Sequence, residues 1–327
     1  MAVTFYRYDD ASAPVLNGTA DSLITLLDAI LVTGYGAKSP AGWTKPYTGT
    51  NKAVFRMAST LGARGTYIRL VEGTDTNRTV NYRIYGSMTS VDAGTNVVPR
   101  ADQVSGGNFF CIKSTTSDAT ARPWFCVADE KGFFLYWDYT GTTSIGANGA
   151  QNIYVAQVEP RAVSDPGPVL VMPSLATTVA STSTSRLGNT SYLYTFGSAG
   201  TTVAHWMTHN FFNAEGSFAC GKASKGWMCS QSIAMDWGNQ PPDPATGELL
   251  MVDFWLYESH IAANGVWRGR VPYLAAFGHG SSSLAQLSLS TIAGLGALSG
   301  KSYMVVPLFN SGGGTTYYGL MQTAGDR

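Results

Sequence analysis

Hydrophobic positions recur at strong helical spacing in one stretch of the chain. In "DSLITLLDAILVTG", residues 21–34, Leu23, Ile24, Leu26, Leu27, Ile30 and Leu31 follow the i, i+3, i+4, i+7 spacing of one helix face. Asp21 stands where an N-cap is wanted, and Gly34 where the chain must leave in a left-handed conformation. The pattern therefore predicts a helix over 22–33. Its apolar stripe is wide, which predicts packing against a sheet.

Elsewhere the pattern is that of strands and turns. "KAVFRM" and "GTYIRLVEG" are short β-branched and aromatic runs bounded by turn residues. In "PWFCVADEKGFFLYWDYTG", strands at 124–128 and 133–139 flank "DEKG", a hairpin with Gly132 available for a positive-φ position. Phe133, Leu135 and Trp137 point one way; Phe134, Tyr136 and Asp138 point the other. Aromatic residues on both faces predict a sheet covered on both sides.

The texture changes at about 160–190, where four prolines precede a Ser/Thr tract almost free of large side chains. A short strand is expected at 169–172. Strand-like runs then resume in "SYLYTFG", "TVAHWMTHNFF", "LLMVDFWLYES", "VPYLAAFG", "SYMVVPLFN" and "TTYYGLMQT", the last two joined by "SGGG" as a hairpin. The fold class expected is mainly β, α+β in its N-terminal half, built of β-sandwich-like modules with one amphipathic helix packed on a sheet. The division expected is an N-terminal β-rich domain at 1–165, a Pro/Ser/Thr-rich connection at 166–190 and a C-terminal β domain at 191–327.

Composition narrows the function classes. Charged residues make up 13% of the chain, against about 25% in ordinary globular proteins. The 21 acidic and 21 basic residues cancel. No Lys/Arg cluster stands out along the sequence, so direct nucleic-acid binding is not expected. A near-neutral surface does little to oppose self-association. The opening "MAVTFYRYDD" lacks a basic segment followed by an apolar one, so no signal peptide is expected. No apolar run approaches the ~18 residues of a membrane span. Cys111, Cys126, Cys220 and Cys229 are widely spaced and read as free, partly buried thiols.

Candidate chemistry is sparse. "GYGAKSPAGWTKPYTGTNK", residues 34–52, has the vocabulary of a phosphate loop but not its grammar. Ala37 precedes Lys38, Val32 replaces the first glycine, and the segment follows a helix where a phosphate loop precedes one. It reads as a glycine helix end followed by an aromatic–proline loop, Trp43 to Tyr47, over a sheet edge. In "HWMTH", His205 and His209 fall on one face of a strand ~14 Å apart, too far to share a metal ion. Asp253, beside the apolar "FWLY", is expected to serve as a structural carboxylate paired to Arg268 or Arg270, with Glu258 beyond it. No catalytic residue, cofactor site or metal site is expected. The aromatic excess has two readings: sugar-stacking platforms, or the filling of β-cores and subunit interfaces, the second preferred.

Longer stretches carry a resemblance. "APVLNGTADSLITLLDAILVTGYGAKSPAGWTKPYTGTNKAVFR", "VDAGTNVVP" and "DATARPWFCVADEKGFFLYW" resemble a family of virion structural proteins of tailed double-stranded DNA bacteriophages. "WRGRVPYLAAFGHG" and "LSGKSYMVVPLFNSGGG" are similar to its closing segments more loosely. The likeness is most specific over 13–56 and 117–139, while about 160–250 departs from it. It implies a non-enzymatic subunit made in the host cytoplasm and incorporated into the virion. Such a subunit associates with itself and with other virion proteins. Neck or collar, tail, capsid decoration and tail-tip receptor or glycan binding all stay open, with a slight preference for the neck or tail. The contact residues expected are Trp43, Tyr47, Lys52, Trp227 and Trp237.

Overall fold

The computed structural model describes residues 2–59, 64–73, 78–102, 105–141, 150–160, 165, 167–173, 205–209, 215–220, 251–258, 266–277, 288–295, 298–311 and 315–327. Their strands, numbered in chain order, form three antiparallel sheets stacked as layers, and the fold is mainly β.

The middle layer has seven strands: β1 (Thr4–Arg7), β8 (Trp124–Asp129), β9 (Gly132–Asp138), β10 (Ala150–Gln157), β12 (Val169–Pro173), β13 (His205–His209) and β14 (Glu215–Cys220), in that spatial order. One face is covered by α1 (Ser22–Asp28) and a six-stranded sheet. That sheet runs β2 (Thr44–Gly49), β3 (Lys52–Arg56), β4 (Tyr67–Glu72), β5 (Thr79–Met88) and β6 (Gly94–Val98), with β7 (Phe109–Ile112) also on β5. The opposite face meets β11 (Glu159–Pro160), β16 (Val266–Phe277), β19 (Thr315–Ala324), β18 (Ser302–Ser311) and β17 (Thr291–Ala293), with β15 (Met251–Glu258) on β16.

The alternation read from the sequence builds both cores. Trp124, Cys126, Phe133, Leu135 and Trp137 pack with the helix and the first outer sheet. Phe125, Val127, Phe134 and Tyr136 pack with Tyr273, Leu274 and Met304 of the other. Because side chains alternate with period two, a one-residue slip in the β8–β9 register would exchange these two sets. Cys111 and Cys126 are free thiols in the first core.

Four expectations are corrected. The predicted helix is α-helical only over Ser22–Asp28 and continues as a π-helical turn, Ala29–Thr33. Gly34 N–H closes that turn on Ala29 O at 2.9 Å, and at φ 77° it is a position where a side chain would be strained. Asp21 makes no side-chain cap; Glu72 of β4 reaches across instead and accepts from Ile24 N–H at 2.8 Å. Gly132 has no positive φ; a Cβ there would lie 2.6 Å from Ala156 Cα, so the glycine serves the close approach of β9 to β10. Third, the stretch 43–47 is no loop: Thr44–Gly49 is an edge strand.

The last correction concerns the domains. The expected boundary at 166–190 falls inside the middle layer, since β12 pairs with β10 of the N-terminal half. β11, from the same half, pairs with β16 of the C-terminal half. The two halves share sheets, and the apolar faces of both are buried against one middle layer.

Candidate interaction surface

Two buried polar clusters tie the layers together. Asp129 Oδ1, at the end of β8, accepts from Tyr273 Oη and Lys131 N–H, both at 2.7 Å, and from Arg327 Nη1 at 3.4 Å. Tyr273 takes φ 66° where the β15–β16 register shifts, a strained conformation that brings its hydroxyl to Asp129. Beside this network a pocket of about 190 Å³ is lined by Glu130, Lys131, Gln157, Glu159 and Arg327. Arg327 faces both Asp129 and Glu159, and Glu159 also holds Arg270. These charges pair among themselves and present no activated nucleophile.

The second cluster surrounds Arg268, whose buried guanidinium makes two bonds to Asp165, at 2.7 and 3.1 Å. It also donates to His209 O at 3.2 Å. His209 is buried, with Nδ1 2.7 Å from Thr208 Oγ1 and Nε2 3.8 Å from Glu215 Oε1. Burial, assisted by the Arg64 and Arg268 cations, pushes its pKa down to about 4. No group of three or more metal-ligating side chains exists among the described residues.

The outward face of the first outer sheet is different. Strand alternation sends Ala53, Phe55, Ile68, Leu70, Val80, Tyr82 and Ile84 into the core. It therefore sends Lys52, Val54 and Arg56 of β3, Tyr67, Arg69 and Val71 of β4, and Asn81, Arg83 and Tyr85 of β5 outward. The register sets Val54, Arg69 and Arg83 in one row and Arg56, Tyr67, Tyr85 and Val97 in the next. Tyr47 lies opposite Val54 on β2. Val54, Tyr85 and Met88 form a small apolar cluster there, with Tyr47, Tyr67, Val91 and Val97 packed on it.

Arg69 and Arg83 are direct cross-strand neighbours. Like charges so placed destabilise a sheet by roughly 0.2–1 kcal/mol relative to small neutral pairs. The turn after β5 eases the strain. Arg69 donates to Val91 O at 2.6 Å and pairs with Asp92, which also holds Lys52 at 2.9 Å. These two cations hold the Asp92 carboxyl below its usual range. Arg83 donates to Asn108 Oδ1 at 2.7 Å and Gly106 O at 2.6 Å, both neutral acceptors. Arg56 lies over the Tyr67 ring, 5.2 Å from its centroid. Lys52, Arg56, Arg69 and Arg83 against Asp92 leave this face three positive charges in excess.

The contact residues expected from sequence separate accordingly. Tyr47 and Lys52 lie on this face; Tyr47 is half-buried and donates to Met88 O at 3.1 Å. Trp43 does not: it is buried, stacks edge-on against Phe133 and donates from Nε1 to Asp129 O at 2.9 Å. Its ring is enclosed by its own chain, so it is a core residue and no surface anchor. Trp227 and Trp237 lie outside the described residues, as do Cys229 and the side chains of His205, Asp253 and Glu258. The partners expected for Asp253 are engaged elsewhere, Arg268 with Asp165 and Arg270 with Glu159. "HWMTH" is a strand as expected, with a register shift between Met207 and His209.

The phosphate-like loop also finds its purpose. Lys38 Nζ donates to Phe5 O at 2.8 Å, and Ser39 O accepts from Tyr6 Oη at 2.7 Å. The segment thus seals the edge strand β1. Sequence inspection finds no basic cluster because its members are 13 or more positions apart across three strands; what betrays them is a recurrence at every second position, as in Lys52-x-Val54-x-Arg56 and Tyr67-x-Arg69.

The fold defines a three-layer antiparallel β protein with one basic, tyrosine-bearing sheet face. Compared with known proteins, the chain matches no family model and no curated relative.

Proposed function

We propose that this chain is a structural subunit of a tailed-bacteriophage virion, which associates with itself and docks to neighbouring virion proteins. The role is mechanical and needs no cofactor. Neck, collar or tail is the favoured position, over capsid decoration. The sequence resemblance supports the virion assignment, and the segments that carry it most specifically form α1, the β2–β3 hairpin and the β8–β9 hairpin.

The observation that carries the docking role is the row of Arg69 beside Arg83, flanked by Lys52, Arg56 and three tyrosines on an outward sheet face. A sequence that sets like charges side by side gives up local stability, which is consistent with a contact formed outside the chain. Glycan binding fits this face less well. Sugar stacking needs an open ring, whereas Tyr85 is buried and Arg56 covers Tyr67.

The test is the mass and shape of the purified chain, alone and mixed with candidate virion proteins, by light scattering and negative-stain imaging. Closed rings or a regular lattice are expected. A monomer under every condition, mixtures included, overturns the reading.

A further inference from the structure

Charge on this chain is divided unevenly. The whole sequence carries 21 cations and 21 carboxylates. The excess of three positive charges on the outward face of β3, β4 and β5 therefore leaves the remainder with an equal negative excess. The sequence also shows where carboxylates gather. Between Lys225 and Arg268 it holds Asp236, Asp243, Glu248, Asp253 and Glu258, with no lysine or arginine among them. Trp227 and Trp237 fall in the same stretch.

We propose that the basic face built by Lys52, Arg56, Arg69 and Arg83 docks onto the acidic 236–258 stretch of a second copy of this chain. The proposal rests on the self-association put forward above and adds which surfaces meet. Three arguments favour this occupant. The surfaces are complementary in charge, and complementary potentials set register and exclude wrong partners. The cations are already positioned: Arg69 is held by Val91 O, and Arg83 by Asn108 and Gly106 O. Little side-chain freedom is then lost on docking. The exposed edge strand β2 carries Lys45 and Pro46 and is interrupted in register between Thr44 and Tyr47, which disfavours the rival route of strand addition along that edge.

The geometry has a consequence for assembly. Two different patches meet, so the contact is heterologous. Such contacts repeat head to tail, giving a closed ring where the rotation closes and a filament where it does not. A two-fold dimer burying one patch against itself would bring the cations of both copies together, and is excluded by this arrangement.

The experiment is sedimentation of the full chain at low and high salt, with three kinds of variant. Lys52→Glu reduces the positive excess on the face from three to one and should weaken association roughly tenfold. Asp92→Asn raises it to four and should strengthen association at low salt, a change in the opposite direction that mere damage to the fold would not give. A chain carrying Asp236→Lys, Asp243→Lys and Glu248→Lys should associate poorly alone, yet recover when mixed with Lys52→Glu. Thermal melts confirm that each variant is folded. Rings indifferent to all these charges overturn the docking surface while leaving self-association standing. A wild-type monomer at low salt sinks both. Binding of a double-stranded DNA oligomer to the face, with no association between copies, also overturns the proposal.

Discussion

Lys113 and Glu72 meet as an ion pair from which solvent is wholly excluded. Lys113 leaves the end of β7, and Glu72 ends β4. Between them they fasten the start of α1: Glu72 accepts from Ile24 N–H at 2.8 Å, while Lys113 donates to Thr19 O at 2.6 Å and Ser22 Oγ at 3.1 Å. Burial lifts the Glu72 carboxyl above its ordinary value even against the attraction of Lys113. A helix with an α-helical run of seven residues, Ser22–Asp28, is not stable on its own, so its position depends on such fastening and on the core beneath it.

Removing one partner should therefore cost far more than the pair contributes. Lys113→Met strands a buried carboxylate and is expected to destabilise the fold by about 3–5 kcal/mol. Adding Glu72→Gln should recover part of the loss, because the second change removes the unpaired charge. Urea unfolding of both single variants and the double variant gives the coupling. Additive losses would show that the two side chains act independently.

Gly132→Ala tests the contact between the two central strands. A Cβ there meets Ala156 Cα and Cβ at 2.6 Å and Val155 O at 2.8 Å, so backbone must yield. Overpacking of this kind costs about 1–3 kcal/mol. Gly42→Ala is the control, since its Cβ would meet only the Glu130 side chain at 3.7 Å. Gly42 has φ 88°, so any loss there reports backbone strain and not crowding.

The strands legible in the sequence were those whose two faces are both buried. "WFCVAD" and "GFFLYWD" read as apolar throughout because cores press on both sides. β5, the ten-residue strand "TVNYRIYGSM", escaped notice because one face is core and the other carries Asn81 and Arg83, which dilutes a hydrophobic run. The helix was legible from its spacing, but its cap was not. Asp21 is adjacent in sequence, while the group that serves the helix start, Glu72, is 48 positions away. The same limit applied to the site. Tyr47 and Lys52 were found in a short aromatic segment, whereas Arg69 and Arg83 become neighbours only through strand pairing. Trp43 looked like a surface anchor for want of its distant acceptor, Asp129 O.

Trp43→Phe separates a core role from a docking role. The phenyl ring keeps the contact with Phe133, but the Nε1–H bond to Asp129 O is lost. An unmade hydrogen bond in a buried site costs about 1–3 kcal/mol. Stability should fall by that amount, while the assembly state of the folded variant stays that of the wild type. Loss of assembly at full stability would return Trp43 to the interface.

His209 gives the acid side of the stability profile its shape. In the unfolded chain its pKa is near the ordinary 6.5, whereas in the fold it is about 4, because burial and the Arg64 and Arg268 cations oppose a third positive charge. Between these values the unfolded chain binds the extra proton, so stability is fully present above about pH 6.5 and falls as pH drops towards 4. The loss attributable to this one ring should be about 1–2 kcal/mol once solvent screening is allowed for. Asn keeps a short polar group beside Thr208 but cannot titrate, so His209→Asn should flatten the profile through this window. Urea midpoints measured across the window for both proteins decide it. An identical slope in the variant would assign the acid sensitivity to other groups.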